Sequence, residues 1–534
     1  MQENTQITGY DSFSKEKLIR ALLNAKSKIV SLESDVAGLQ YLLFSRKSEK
    51  RAVDPEGMQP LFKEVEESSV EMSDDITNKS KYTENTNKDE TSKAEPKNKS
   101  GRIRLPDSLP RERCEHDLAK EEKQCPFHKT DLIRIGEKVR EELEIVPAKV
   151  KVIEHVTFSY KCPYCSKDDE STNITSSSRG LPFPIPKSFA SPSLLAYIAT
   201  AKYCDHLPLY RQEQIFARYG IDLKRNTIAS WMIQSAKKAT PLINLMKDQL
   251  IESEVAGCDE TPIQVLKEPD RTPEQKSYMW VGVLMCGPPI VLFNYDSCRN
   301  TQAAKNILDG FEGILVCDGL KTYDAFAKKE KILLAGCLAH IRRGFIKAER
   351  ALKKATPKAA KKASIPLDLI GSIYKIEREI IGKDREEKIK RRMEESSPLM
   401  QALYEWLIKE EAKTLPKSLI GKAIRYALDQ WSKMLVFLGR PEVPVDNKKT
   451  ERAIRPFVIG RGNGIFSNSC AGAEASATLY SLIESAKANG LDPFSYLCIV
   501  FKELCKANSL EYYERLLPYN IRSHFTIKPL INPK

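Results

Sequence analysis

The sequence predicts a multidomain α/β protein. Three observations carry that expectation: an amphipathic helical seam near the N-terminus, two short Cys/His pairs after a polar stretch, and a central region where apolar strand patterns alternate with helical ones. A chain of 534 residues has room for several domains and a sizeable core. Its net charge of +13 suits a polyanionic partner, although many basic proteins bind no nucleic acid.

Thirteen cysteines is an odd number, and Cys258, Cys286 and Cys317 lie in apolar runs. They read as buried thiols of a reducing compartment, not as a disulfide framework. Met1 to Tyr10 lacks the basic flank and apolar stretch of a signal peptide. The apolar run Tyr278 to Tyr295 is broken by Gly287, Pro288 and Pro289 before it reaches membrane-spanning length. The expectation is a soluble, cytoplasmic protein with no membrane partner.

Residues 16–50 place Leu22, Ala25, Ile29, Leu32, Val36, Leu39 and Leu43 on one helical seam. Such a zipper-like helix can pair protomers into a homo-oligomer or pack on its own protein. Residues 51–104 then turn polar and charged, which predicts a flexible linker, because they hold too little apolar surface to offset ordering.

Residues 105–170 contain Cys125 with His128 and Cys162 with Cys165, each pair three positions apart. That spacing lets a tight turn aim two donors at one ion, and thiolate with imidazole suits tetrahedral Zn²⁺. Cys114 and His116 are alternative ligands, and unrelated thiols remain an alternative to any site. The alternating run Leu143 to Phe158 predicts strands, with His155 structural within them.

Residues 185–250 predict three short helices: one starting at Ser191 and Pro192, one from Leu209 to Arg218, and one capped by Thr227. Helical DNA binding with Lys224 and Arg225 near the last helix start is one reading, and generic packing with Trp231 in a core is the other.

Residues 251–345 are the most informative. A strand carrying Asp259, strands Tyr278–Met285 and Ile290–Tyr295, helix Thr301–Leu308, strand Gly313–Cys317 ending at Asp318, helix Tyr323–Lys329 and strand Ile332–Ala335 follow in order. That order is expected of a ribonuclease-H-like sheet, whose first and fourth strands are neighbours. Asp259 and Asp318 would then face one another and need a cation such as Mg²⁺ or Mn²⁺. Glu260, Asp296, Asp309 and Asp324 compete for the same role, and an ordinary α/β domain can also end strands in aspartate.

Asp318 and Glu451 are too far apart for one loop, so residues 346–440 predict an all-helical insertion. Its basic stretch, with Lys353, Lys354, Lys358, Lys361 and Lys362, offers phosphate contacts or a solvated face. His340, Arg342 and Arg343 lie near the sheet edge as further DNA contacts, with His340 packing beside the core as the alternative; without a second Cys–His pair nearby, metal ligation at His340 is not expected. In residues 441–500, the remainder of the catalytic domain, Asn447 and Glu451 share a helix face, with Arg452 and Arg455 placed to meet phosphates. Glu474 is the alternative third acid. Residues 501–534 read as a C-terminal tail.

With these pieces in place, the chain resembles the large transposases of insertion-sequence family sixty-six. The resemblance rests on Leu42 to Lys50, Leu105-Pro106 with Leu109-Pro110-Arg111, His206 to Glu213, and Asp259-Glu260-Thr261. It continues through Asp318-Gly319 with Tyr323, Gly336-Cys337 with Ala339-His340 and Arg342-Arg343, Asp446-Asn447 to Pro456, and Gly472 to Leu491. It implies a DDE-type domain with Asp259, Asp318 and Glu451 as the metal-holding catalytic triad, and a zinc module. It also implies action on the terminal inverted repeats of a mobile element and on target DNA, in a bacterial cell, with small companion proteins as partners. Two departures stand out. His128 replaces the family's usual cysteine, and Gly460 to Phe466 has glycines where lysine and tryptophan are typical. The second predicts weakened end binding or activity.

Overall fold

The computed structural model describes residues 150–156, 158–161, 174–176, 184–330, 332–352 and 357–530. The zipper segment 16–50, the linker 51–104, Cys125, His128, Cys162, Cys165, Lys353 and Lys354 lie outside these residues.

Residues 150–156 and 158 are exposed and form no strand, so the strand expectation for Leu143–Phe158 fails over this part, and His155 is exposed. Alternation suits a segment to a sheet, but a ladder needs a partner strand, and among the described residues none pairs with it. β1 (Ser159–Lys161) and β2 (Ile174–Ser176) form a short antiparallel pair of their own.

Three helices follow: α1 (Pro192–Tyr203), α2 (Leu209–Arg218) and α3 (Arg225–Ile251). Ser191 caps α1 by accepting the Leu194 N–H, with Pro192 in the first turn where its missing donor costs nothing. The expected Thr227 cap of α3 is not observed: the first turn closes on the Lys224 carbonyl, which accepts from Thr227 and Ile228 at 3.0 and 3.2 Å. Trp231 is buried in the core, as expected.

The central sheet is built from β3 (Val255–Lys267), β4 (Lys276–Leu284), β5 (Val291–Asp296), β6 (Ile314–Val316) and β7 (Leu333–Ala335), in spatial order β5-β4-β3-β6-β7. α4 (Thr301–Leu308) precedes β6 and α5 (Lys321–Glu330) precedes β7. β3, β4 and β5 are antiparallel neighbours, whereas β6 lies parallel to β3 and β7 parallel to β6. The predicted adjacency of first and fourth strands is present.

The two faces of this sheet have different covers. Ala256, Cys258, Leu315 and Cys317 point into one core with α1 to α5, while Val255 and Val316 point into another. That second core is made by the insertion: α6 (Leu338–Leu352), α7 (Pro357–Glu379), α8 (Arg385–Arg391), α9 (Ser397–Glu411), α10 (Leu419–Asp429) and α11 (Trp431–Met434). It is all-helical as expected, but its helices begin at Leu338 and not at residue 346.

The chain returns to the sheet through α12 (Lys448–Gly464), β8 (Ser467–Ser469, parallel to the far end of β3) and α13 (Cys470–Ala488). β5 is an edge strand, and α13 covers it: Ser485 and Ser481 accept the Val291 and Phe293 N–H groups at 2.9 and 2.7 Å. Donors that would otherwise template a foreign strand are thereby used. α14 (Pro493–Glu503) and α15 (Leu510–Arg515) follow. The segment expected as a tail is folded as far as residue 530, with Leu516, Leu517 and Ile521 buried in the main core. Polar residues around these three hide them from a window-based reading. None of the described helices is long and apolar enough to cross a membrane.

Candidate active site

The parallel β3–β6 ladder pairs Val255 with Ile314, Ala256 with Leu315 and Gly257 with Val316. Two residues further along that register, Asp259 stands beside Asp318. Strand parity then decides where they point, since Asp259 shares a face with Val255 and Gly257, and Asp318 with Val316. This is the face covered by the insertion and by the start of α12. Asp259 accepts the Glu260 N–H at 2.9 Å, and Asp318 accepts the Leu320 N–H at 3.0 Å.

α12 brings Glu451 near enough for its charge to reach Asp259. Asn447, its N-cap and almost fully buried, donates its side-chain N–H to the Cys258 carbonyl at 3.1 Å. Glu451 sits in the first turn, its own N–H closing on the Asn447 carbonyl at 3.0 Å. The approach depends on Gly257: a Cβ there would fall 2.1 Å from Met285 Cε, 2.2 Å from Thr450 Oγ1 and 3.0 Å from Asn447 Oδ1. Only a hydrogen side chain lets the helix end lie against the strand.

Electrostatics report the same convergence. Burial first, then the charges of Glu260, Asp318 and Glu451, push the Asp259 carboxyl well above its usual range. A single backbone N–H opposes this shift. Asp259 is thus near enough to feel the charges of Asp318 and Glu451, while among the described residues the potential metal-ligand atoms found within 4.8 Å of one another are those of Cys337, His340 and Glu451.

The competing acids are engaged elsewhere. Glu260 points to the opposite face, where Arg299 pairs with it at 2.5 Å and the Tyr323 hydroxyl donates at 2.8 Å. Asp296 accepts from the Cys298 N–H and the Asn306 amide, both at 2.8 Å. Asp309 lies 3.6 Å from Lys305, and Asp324 pairs with Lys433 at 2.6 Å. Glu474 is exposed on α13, the helix that covers the β5 edge.

Glu451 has neighbours that sequence reasoning missed. Arg343 donates to its two oxygens at 3.3 and 3.4 Å, and His340 Nδ1 lies 3.6 Å away. Cys337, His340 and Glu451 bring donor atoms within 4.8 Å of one another. The lack of a second Cys–His pair argued against metal ligation at His340, but folding supplies a third donor from α12. The only sequence signal was the Cys-x-x-His spacing of Cys337 and His340.

A cleft of about 590 Å³ opens beside Asp318, lined also by His340, Lys347, Lys422 and Tyr426. Gly319 lets the Tyr426 ring close on the strand end, since a Cβ there would meet Cε2 at 2.7 Å. Of the other expected DNA contacts, Arg452 is exposed while Arg342 and Arg455 are half-buried. Lys224 and Arg225 are exposed at the start of α3, with Lys224 paired to Asp222 at 2.7 Å. Lys362 pairs with Glu410 at 3.1 Å.

A mixed sheet with helices on both faces, Asp259 within its central strand and Asp318 just past the end of the neighbouring one, fits a ribonuclease-H-like α/β domain. The chain belongs to the Transposase IS66 family, whose model matches residues 187–475. Three further models match: the zinc-finger binding domain of transposase IS66 over 122–166, the IS66 C-terminal element over 481–519, and one described as transposase C of IS166 homeodomain over 31–114. Two relatives from Sinorhizobium fredii (strain NBRC 101917 / NGR234) carry the names uncharacterized protein y4qI and y4jD. The first is 32% identical over 73% of this chain and 72% of its own, the second 31% over 78% and 81%. The chain is thus a DDE-type transposase by family, with the expected order of zipper region, zinc module and catalytic domain; the C-terminal element over 481–519 was not expected.

The glycine-bearing segment that departs from the family pattern forms the end of α12, and its positions differ in room. A Cβ at Gly460 would meet the Tyr480 hydroxyl at 2.2 Å, whereas one at Gly464 meets nothing within 4 Å. Gly460→Ala is therefore expected to cost about 1–3 kcal/mol by overpacking. Gly464→Trp is expected to stay within about 0.5 kcal/mol, as surface changes do. Denaturant unfolding of both variants checks the contrast.

Proposed function

We propose that this protein nicks the terminal inverted repeats of an insertion sequence and joins the freed 3′-hydroxyl ends to target DNA by metal-dependent phosphoryl transfer. The observation that supports this most is the meeting of Asp259 and Asp318 on adjacent strands with Glu451 from α12 within their charge field. These three carboxylates would hold Mg²⁺ or Mn²⁺, which when bound supplies Lewis-acid activation of the attacking oxygen and stabilises the leaving one.

The chain's own groups do the rest. Asp259 and Asp318 are fixed by strand register and by their backbone N–H donors, so little reorganisation is needed at the moment of reaction. In the first step a water oxygen forms the new P–O bond and the 3′-oxygen leaves as the free element end. In the second, that 3′-oxygen attacks a target phosphate, whose own 3′-oxygen leaves. Lys347 and Lys422 in the cleft, with Arg452 beside Glu451, are placed for DNA phosphates. Lys224, Arg225, His340, Arg342, Arg343, Lys353, Lys354 and Arg455 extend the proposed DNA surface.

Zn²⁺ held by Cys125, His128, Cys162 and Cys165 would fold the N-terminal module, since four filled positions leave none for water. The zipper helix would bring protomers together at the element ends, and small companion proteins would complete the assembly. The proposed setting is the bacterial cytoplasm, on DNA.

A second reading is a DNA-binding protein that grips element ends without cutting them. It is favoured by Arg343, which holds Glu451 in the arrangement seen. A Mg²⁺-dependent nicking assay on end-sequence DNA separates the two. Wild type is expected to nick, while Asp259→Ala, Asp318→Ala and Glu451→Ala lose activity; equal nicking by all four rejects the catalytic assignment.

A further inference from the structure

We propose that Cys337, His340 and Glu451 form a second metal site, taking a borderline divalent ion of the Zn²⁺ type and sharing Glu451 with the all-oxygen site of Asp259 and Asp318. The consequence for activity rests on the functional reading above; the binding itself does not.

The donor atoms of the three side chains lie within 4.8 Å of one another, close enough to converge on one ion. Sulfur, imidazole nitrogen and carboxylate oxygen together make a set that Zn²⁺ or Co²⁺ accepts, whereas Mg²⁺ takes oxygens. The Asp259–Asp318 pair offers only oxygens. Two sites of different hardness therefore meet at one glutamate.

The fold brings the three backbone positions of the cluster together. The Leu338 N–H donates to the Val445 carbonyl at 2.9 Å, which ties the start of α6 to the segment leading into α12. The Asn447 N–H donates to Cys337 Sγ at 3.2 Å, so the backbone that positions Glu451 also grips the sulfur. His340 follows in the first turn of α6, its N–H on the Cys337 carbonyl at 3.2 Å. Cys337 stands at the start of both helices; burial pushes its free thiol up to about 12 against the Asn447 and His340 N–H groups, so the sulfur gives up its proton as the ion binds. Cys337 itself is buried, but the His340 and Glu451 side chains keep 22% and 21% of their surface and give an ion its way in. Three protein ligands leave a coordination position for water or a phosphate oxygen.

An ion in this site draws on the carboxylate that the oxygen site needs. Zn²⁺ is therefore expected to antagonise Mg²⁺-supported nicking, and the antagonism to depend on Cys337.

The test uses the full-length protein with Co²⁺ as a spectroscopic probe. Wild type is expected to bind one more equivalent of Co²⁺ than Cys337→Ser, with a thiolate-to-metal charge-transfer band in the difference spectrum. The N-terminal Cys/His ligands contribute equally to both proteins and cancel. His340→Gln, at a half-exposed position, is expected to lose the same equivalent, and matched far-UV circular dichroism and melting curves show that each variant is folded. Asp259→Asn keeps the band, because it lies outside the set. In parallel, the Zn²⁺ concentration that halves Mg²⁺-supported nicking should rise at least about tenfold in Cys337→Ser, a loss of about 1.4 kcal/mol in Zn²⁺ binding. Identical Co²⁺ stoichiometry and spectra in wild type and both variants overturn the site. A Co²⁺ equivalent that depends on Cys337, combined with unchanged Zn²⁺ sensitivity, overturns the sharing of Glu451. If no protein nicks DNA, the functional reading fails while the Co²⁺ result still decides the site.

Discussion

Gly257→Ala is expected to lower nicking by about a hundredfold for each ångström that it moves the start of α12 away from β3. The substitution adds one methyl group, but that methyl would sit 2.2 Å from Thr450 Oγ1 and 2.1 Å from Met285 Cε. Met285 can swing its flexible end aside. Thr450 cannot do so as easily, because it is β-branched, fully buried and on the first turn of the helix that carries Glu451. Relief comes from a shift of the helix, which takes Glu451 with it. Overpacking of this kind also costs about 1–3 kcal/mol of stability. The identifying result is rescue: Gly257→Ala with Thr450→Ala should recover nicking and unfolding free energy together. Wild-type nicking by the single variant would show that the close approach does not position the site.

Asp259→Asn is expected to have opposite effects on activity and on metal-free stability. Removing one oxygen ligand forfeits several kcal/mol of charge stabilisation in the transition state, which is at least roughly a hundredfold in rate. In chelator, however, the same change removes a carboxylate that folding forces into a half-buried place beside Glu260, Asp318 and Glu451. An acid whose folded pKa is raised above its unfolded value destabilises the native state at neutral pH, and that penalty fades as pH falls through the folded value. The metal-free wild type should therefore gain stability on mild acidification, and the asparagine variant should start higher and change less. Mg²⁺ should raise the melting temperature of wild type and leave that of the variant nearly unmoved. A variant less stable than wild type in chelator would contradict the crowding of the three acids.

Much of the sheet was legible in the sequence, because strand and helix periods are local properties. Thr301–Leu308 is a helix with the bounds its pattern indicates, and the apolar residues before Asp318 do form the fourth strand. The α3 start and the folded C-terminal segment were not legible. The first is closed by a backbone carbonyl with no side-chain cap, and the second is buried by partners far away in sequence.

The candidate site divides in the same way. By itself the sequence placed Asp259 on the first strand, Asp318 just after the fourth, and Glu451 or Glu474 on a returning helix, since those are matters of pattern and spacing. It left open which acids remain available. Tertiary structure decided that, by giving Glu260 to Arg299 and Tyr323, Asp324 to Lys433, and the start of α12 to the space that Gly257 leaves. It also set Cys337 and His340 against Glu451, more than a hundred residues away. Charge pairing and close contact depend on separation in space, and only the packed chain has that.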